Sequence, residues 1–111
     1  ALGQLENLEV LNLQLCNVGD DELRFVSSLK NLRVLELYGN GRVTRRSLPM
    51  LQELPRLESV TLTHTGVHPV TLDDVAGFPA LRELNLLDVQ PDFSWAEMEA
   101  RFPGLKFSVD D

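Results

Sequence analysis

One cysteine and two histidines are the side chains of this 111-residue chain best suited to chemistry. His64 and Asp88 take corresponding positions in neighbouring repeats, described below, and adjacent parallel strands lie about 4.8 Å apart. A base beside an orienting carboxylate is half of a catalytic triad. Because no serine or cysteine nucleophile stands near this pair on the exposed side, we expect a surface ion pair instead.

A metal site and a reactive thiol are the other chemical alternatives. His64 and His68 have the i, i+4 spacing of helical zinc sites, but they fall on the bend after a strand and have no third ligand. A reactive thiolate needs exposure and a cationic neighbour, and a single cysteine excludes an internal disulfide. We therefore expect no metal, no cofactor and no enzymatic activity.

Basic side chains are concentrated at Arg42, Arg45 and Arg46. Guanidinium groups in such a cluster can hold a phosphate or an acidic loop of a partner. At the start of a helix they also oppose the helix dipole slightly, so nearby carboxylates are expected to neutralise them. The carboxylates of the preceding repeat are Asp20, Asp21 and Glu22. We interpret the cluster as solvated ion pairs, with a secondary basic binding patch as the alternative.

An internal repeat supplies the elements that position these residues. Leucines recur 24, 25, 24 and 24 residues apart, at Leu8, Leu32, Leu57, Leu81 and Leu105. The segments that they open read LEVLNLQLCNV, LRVLELYGNGRV, LESVTLTHTGV and LRELNLLDV, followed by a shortened LKFSVDD. Alternation of apolar and polar residues within each segment predicts a strand with one buried face. Self-similarity at this period is the signature of a solenoid.

Each strand is followed by a return segment whose pattern predicts a short helix. Apolar residues at i, i+3 and i+6 lie on one side of such a helix, facing the strands. They are Leu23, Val26 and Leu29; Leu48, Leu51 and Leu54; and Leu72, Val75 and Phe78. A hydroxyl followed three residues later by a carboxylate predicts capping boxes at Thr71 and Ser94.

The pattern L-x-x-L-x-L followed by a small polar residue resembles the leucine-rich repeat family over essentially the whole chain. The returns read VGDDELRFV, VTRRSLPML and VHPVTLDDV and are similar to those of bacterial and cysteine-containing repeats of about 24 residues. Those repeats usually have Thr and Asp after the first Val or Ile, and here only Asp20 and Thr44 match these two positions. The resemblance implies an α/β fold, a right-handed solenoid or horseshoe with a short parallel β-sheet on the concave face and helices on the convex face. It also implies that one bend position points inward and satisfies backbone groups. That position holds Cys16, Asn40, Thr65 and Val89.

We predict one leucine-rich repeat domain over residues 1–111. Residues 1–7 would be the tail of a truncated repeat, followed by repeats at 8–31, 32–56, 57–80 and 81–104. Residues 92–111 would form a C-terminal cap, because Trp95, Met98 and Phe102 make an apolar stripe rotated from that of the other returns. Terminal repeats that seal the core in this way are typical of solenoids.

Composition narrows the classes of partner. The net charge of −7 argues against binding to nucleic acid. The sequence has no long apolar run and no visible N-terminal signal sequence, which argues against a membrane location. A single cysteine, without the cysteine-rich flanks usual in extracellular members of the family, favours a cytoplasmic protein. The open edge of the first strand, over residues 8–15, is expected to self-associate into a head-to-head homodimer.

The predicted function is protein–protein interaction through the concave face, with Tyr38 as the main anchor. Aromatic and aliphatic side chains amid polar groups are typical of an interface core, although exposed strands also favour them. Glu36 and Glu83 favour a partner with exposed basic residues. The face comprises Val10, Asn12, Gln14, Val34, Glu36, Tyr38, Ser59, Thr61, Thr63, Glu83, Asn85 and Leu87. Two alternatives stay open, a structural or capping segment of a larger multidomain protein, and the substrate-recognition part of an enzyme whose catalytic domain lies upstream.

Overall fold

The computed structural model describes residues 7–87 and 92–108, and the statements below refer to those ranges. Within them the chain is an α/β protein with five strands and four helices. In chain order the elements are β1 Val10–Asn12, α1 Asp20–Val26, β2 Val34–Glu36, α2 Leu48–Leu51, β3 Ser59–Thr61, α3 Leu72–Ala76, β4 Glu83–Asn85, α4 Trp95–Arg101 and β5 Lys106–Ser108. A 3₁₀ turn, Arg45–Ser47, leads into α2.

The strands form one parallel sheet in the order β1-β2-β3-β4-β5. Val10 pairs with Val34, Val34 with Ser59, and Ser59 with Glu83. These pairs are separated by 24, 25 and 24 residues, the same spacing as the repeated leucines. The predicted parallel sheet is therefore confirmed, and the sequence period sets the register of its first four strands.

β5 departs from the period by one residue. Glu83 pairs with Lys106 and Leu84 with Phe107, a separation of 23 residues. Because side chains alternate between the two faces, the shift turns Ser108 away from the core and brings Phe107 against it. The ring buries more apolar surface than the serine side chain, and the hydroxyl avoids burial.

The apolar core lies between the sheet and the helices. Leu35, Val60 and Leu84, at the centres of β2, β3 and β4, are fully buried. The predicted apolar residues of the three returns pack against them, and all are buried except Leu72, which is half-buried. Each buried leucine or valine stabilises the fold by about 1.5–3 kcal/mol, so the repeats hold one another together.

The helix starts follow the predicted chemistry. In α3 the Thr71 hydroxyl accepts a hydrogen bond from the Asp74 amide at 3.1 Å, and the Asp74 carboxylate accepts one from the Thr71 amide at 2.9 Å. Ser94 and Glu97 make the same reciprocal pair at the start of α4. Both predicted capping boxes are confirmed. None of the described helices combines the length and apolar character that crossing a membrane would require.

The last helix seals the end of the core. Met98 is fully buried, and Trp95 and Phe102 pack half-buried against the core. The Trp95 ring also stacks on Phe107, with centroids 5.7 Å apart. Residues 109–111 of the predicted cap lie outside the described residues, as does nearly all of the predicted tail at 1–7.

The inward bend position behaves differently from repeat to repeat. The buried Asn40 amide donates to the carbonyls of Leu13 and Leu37, both at 2.9 Å, and its oxygen accepts from the Val18 amide at 3.1 Å. The buried Thr65 hydroxyl donates to the Leu62 carbonyl at 2.7 Å. The expected inward position is thus confirmed at these two residues, whereas Val89 lies outside the described ranges.

Cys16 corrects that expectation for the first repeat. Its side chain is exposed, with the thiol 3.4 Å from the Gln14 carbonyl. Asn40 already satisfies the Leu13 carbonyl and the Val18 amide of the same bend, so no backbone group there needs the cysteine. Leu15 and Asn17 both have φ of 55°, and this left-handed backbone accompanies the outward turn of the side chain.

Candidate protein-interaction surface

Side chains that alternate with the core residues lie on the sheet face away from the helices, called the open face below. The predicted partner-binding residues are on this face, but their accessibility differs. Val10, Asn12, Gln14 and Leu87 are exposed, and the others are half-buried except for two threonines. Thr61 and Thr63 are only 9% and 5% exposed, so larger neighbours cover them. A partner would contact Val34, Glu36 and Tyr38 more readily than these two threonines.

Short polar contacts cross the open face between strands. Ser59 on β3 donates to the Glu83 carboxylate at 3.2 Å, and the Asn85 amide on β4 donates to the Thr61 hydroxyl at 3.1 Å. These bonds fix the side chains of neighbouring repeats in one arrangement. The polar groups of the face are therefore preorganised, which lowers the entropic cost of binding.

Tyr38 lies at the exit of β2 and is half-buried. Its ring meets that of His64 edge to face, with centroids 5.1 Å apart and an interplanar angle of 84°. Such aromatic pairs hold the ring in place while leaving part of it accessible. The exposed apolar side chains of the face, Val10 and Leu87, lie on β1 and after β4. The open face therefore has an aromatic residue at the exit of β2, with exposed aliphatic residues on β1 and after β4.

A ladder of alternating charge, absent from our sequence predictions, runs across the strand entrances. Arg33 contacts the carboxylate of Glu9 at 3.4 Å and that of Glu58 at 2.8 Å, and Arg82 lies 3.7 Å from Glu58. The hydrogen bond from Arg33 lowers the pKa of Glu58. The signal was present in the sequence, because the residue after the first leucine of each repeat reads Glu, Arg, Glu, Arg. We call Glu9, Arg33, Glu58 and Arg82 the charge ladder.

Two arginines of the predicted basic patch contact different groups. Arg45 makes a two-bond ion pair with Asp74 of the following repeat, at 2.7 and 3.3 Å, and also donates to the Pro69 carbonyl. Arg42 donates to the Asn17 carbonyl at 3.2 Å. The expectation that carboxylates of the preceding repeat neutralise the whole cluster is therefore wrong for Arg45.

Two carboxylates of the preceding repeat accept hydrogen bonds from backbone amides and hydroxyl groups. Glu22 accepts a hydrogen bond from the Gly19 amide at 2.7 Å, within its own helix start. Asp20 reaches the next repeat and accepts from the Thr44 amide and hydroxyl at 2.9 and 2.6 Å and from the Ser47 hydroxyl at 2.5 Å. Burial raises the pKa of Asp20, but the hydrogen bonds from Ser47 and Thr44 and the charge of Arg46 lower it further, and the net pKa is depressed. Asp20 thus links two repeats as an anion.

The residues considered for catalysis and metal binding do not assemble a site within the described ranges. His64 is exposed beside Tyr38, and its expected partner Asp88 lies outside the described residues. Among residues 7–87 and 92–108, no group of three or more His, Cys, Asp or Glu could hold a metal ion.

An apolar groove of about 330 Å³ lies at the β1 edge of the described sheet. Phe25 on α1 is 48% exposed beside it, and Leu15 at the end of the strand is 68% exposed. The groove is lined by Leu8, Leu11, Leu13, Val18, Glu22, Phe25, Val26 and Leu29. Exposed apolar surface next to a strand edge marks a candidate contact site.

Comparison with known proteins finds similarity to curated proteins whose names refer to tubulin. No family model matches the sequence. Curated relatives include tubulin-folding cofactor E of Arabidopsis thaliana, 38% identical over 91 residues, an alignment that covers 77% of this chain and 16% of that protein. They also include tubulin-specific chaperone E of Mus musculus, 33% identical over 89 residues, covering 75% of this chain and 17% of that protein. The chain therefore spans about a sixth of the length of the curated relatives it matches.

Proposed function

We propose that this chain is a leucine-rich repeat segment of a larger cytoplasmic protein and that it recognises a protein partner through the open face. The repeat period, the parallel sheet in chain order and the buried leucines support the fold part of this proposal. In such a right-handed horseshoe the open face would be the concave one, and repeats would follow the boundaries 8–31, 32–56, 57–80 and 81–104. The segment would bind without catalysing a reaction.

The single observation that carries the recognition proposal is the half-buried Tyr38 at the exit of β2 on the open face. Its ring is held by His64, and polar groups elsewhere on the face are already oriented by cross-strand bonds. A rigid aromatic side chain surrounded by adaptable polar groups is the usual composition of an interface hot spot. Glu36 on the same face favours a partner with exposed arginine or lysine.

The relatives indicate which partner to test first. They are named for the folding of tubulin, so we propose tubulin, or a protein that acts with it in folding, as the partner of the whole protein. This segment would contribute one binding surface. The alternative, a structural segment that only seals a larger solenoid, is supported by the buried Met98 and the stacked Trp95 of α4.

Binding of purified tubulin to the immobilised chain tests the proposal. Tyr38→Ala should weaken binding by roughly 5- to 150-fold, the equivalent of about 1–3 kcal/mol. Glu99→Ala, at an exposed position of α4, is the control and should bind as the wild type does. Equal binding by the wild type and a correctly folded Tyr38→Ala variant would favour the structural alternative.

We also propose that the β1 edge supports the expected head-to-head homodimer. Pairing two β1 strands antiparallel about a two-fold axis would close both edges at once and bring the two apolar grooves together. An axis through Leu11 would set Glu9 of one copy opposite Leu13 of the other, so the two glutamates would not face each other. Among the described residues this edge holds three of the large apolar side chains that are exposed, namely Val10, Leu15 and Phe25.

A further inference from the structure

The charge ladder ends in an arginine that is poorly compensated. The Arg82 side chain is 79% exposed, and its ion pair with Glu58 has a distance of 3.7 Å. Glu58 already accepts the shorter bond, 2.8 Å, from Arg33. Since one carboxylate is shared between two guanidinium groups, Arg82 keeps most of its capacity to bind another anion.

Two further cations flank the end of the ladder. Lys106 begins β5, and its backbone amide donates to the Arg82 carbonyl at 2.9 Å, which places the two residues side by side. Arg56 lies on the other side and donates to the neutral Asn31 side chain at 3.0 Å. Within the described part of the chain, neither Lys106 nor Arg56 has an ion pair. We call Arg56, Arg82 and Lys106 the basic cleft.

The surface between these side chains is concave. A cleft of about 270 Å³ on the open-face side is lined by Arg82, Lys106, Ser59, Glu83 and Gly104, among others. A second cleft, of about 440 Å³, is lined by Arg56, Pro55 and Ala80 and shares Arg33, Glu58 and Arg82 with the first. A Cβ at Gly104 would meet no atom within 4 Å, so there is open space beside Lys106 for an incoming side chain.

The local charge is positive although the protein is acidic. Four cations, Arg33, Arg56, Arg82 and Lys106, line or flank the clefts, against three anions, Glu9, Glu58 and Glu83, which gives 4 − 3 = +1. The anions are already engaged, because Glu9 and Glu58 contact Arg33 and Glu83 accepts from Ser59. The whole chain has a net charge of −7. A negatively charged ligand would therefore be repelled by most of the molecule and attracted to this cleft.

We propose that the basic cleft binds an acidic segment of a partner polypeptide, with a carboxylate held between Arg82 and Lys106 and a further one near Arg56. The planar guanidinium of Arg82 suits a two-bond contact with a carboxylate, and the ammonium of Lys106 adds a mobile point charge. The basic cleft adjoins the open face and shares Ser59 and Glu83 with it, but it lies at the strand entrances, at the other end of the strands from Tyr38. The proposal does not rest on the open-face proposal, because neither Arg82 nor Lys106 is among the residues assigned to partner binding there.

Fluorescence anisotropy with a fluorescein-labelled peptide of ten glutamates tests this binding in low salt. The double variant Arg82→Glu, Lys106→Glu should bind at least ten-fold more weakly than the wild type. The matched control is the double variant Arg42→Glu, Arg46→Glu. It changes the net charge by the same amount, but in the separate group of arginines in the second repeat. Its affinity should fall by no more than about two-fold, the effect of net charge alone.

Three results would overturn the proposal. They are no binding by the wild type, an equal loss in both double variants, and a larger loss in the control variant. Thermal denaturation of both variants shows whether they fold as the wild type does. If the cleft variant loses stability, perturbation of the Arg82 and Lys106 amide signals in the wild type by the same peptide decides the question. Binding of tubulin through Tyr38 could fail or succeed separately, because that surface is not changed in either variant.

Discussion

Arg45 of the second repeat and Asp74 of the third are joined by two hydrogen bonds, 2.7 and 3.3 Å long. Asp74 also accepts a bond from the Thr71 amide at the start of α3. One carboxylate therefore caps its own helix and binds the arginine that precedes the neighbouring helix. Together with Asp20, which bonds Thr44 and Ser47, it ties the helix starts of three successive repeats.

Removing Asp74 should cost more stability than removing Arg45. Asp74→Ala loses both the helix cap and the ion pair, and we expect a decrease of about 1–2 kcal/mol in the free energy of unfolding. Arg45→Ala leaves the cap intact and removes only the ion pair, in which the Arg45 side chain is 41% exposed and that of Asp74 16%, and we expect a loss of about 1 kcal/mol or less. Urea denaturation measures both values, and equal losses in the two variants would show that the ion pair, not the cap, is the dominant contact of Asp74.

Stability should decrease in acid because two inter-repeat carboxylates have depressed pKa values. Burial raises the pKa of both Asp20 and Asp74. Hydrogen bonds lower these pKa values by more, and the strongest of them comes from Ser47 for Asp20 and from Arg45 for Asp74. The unfolded chain then binds protons more readily than the folded one, so the contribution is complete above about pH 4 and is lost as the pH falls below it.

Urea midpoints at pH 7, 5, 4 and 3 measure this dependence. Asp20→Asn should flatten the decrease between the two lowest values, since the variant has one carboxylate fewer to protonate. Asp21→Asn, at an exposed position of the same helix turn, is the control and should keep the slope of the wild type. A wild-type midpoint that does not change from pH 5 to pH 3 would contradict the linkage.

Asn40 and Cys16 occupy the same repeat position but should respond very differently to substitution. Asn40→Ala leaves the Val18 amide without its acceptor and removes one of the two hydrogen bonds that the Leu13 and Leu37 carbonyls each accept, and we expect a loss of about 1–3 kcal/mol. Cys16→Ser changes an exposed side chain and should lie within about 0.5 kcal/mol of the wild type. Chemical denaturation compares the two, and similar losses would mean that the first bend depends on its cysteine.

Self-association should depend on the apolar groove and become stronger with salt. Each copy has a net charge of −7, so added salt screens the repulsion between copies while apolar contacts persist. Light scattering during size-exclusion chromatography should show a dimer that Phe25→Glu converts to a monomer. Leu87→Glu adds the same charge at an exposed position on the open face and should remain a dimer. A wild type that stays monomeric at high concentration and high salt would exclude the edge contact.

The repeat period was sufficient to predict the parallel sheet, the register of β1 to β4 and nearly all the buried leucines. It could not predict the register of β5, because a one-residue shift there depends on whether a phenylalanine or a serine is buried. Nor could it show that Asn40 serves the bend that Cys16 was expected to serve, since side-chain reach between repeats is not visible in a single repeat. The partner of Arg45 was assigned to the wrong neighbour for the same reason. The charge ladder, in contrast, was readable in advance as one column of the aligned repeats.

The charge ladder restricts how many repeats this protein can gain or lose, because its members alternate in sign along Glu9, Arg33, Glu58 and Arg82. Duplicating the second repeat would place two arginines on adjacent strands, and deleting it would place two glutamates there. Like charges facing each other on neighbouring strands are destabilising. Gain or loss of an even number of adjacent repeats keeps neighbouring members of the charge ladder opposite in sign. Evolution and design should therefore lengthen or shorten this chain two repeats at a time.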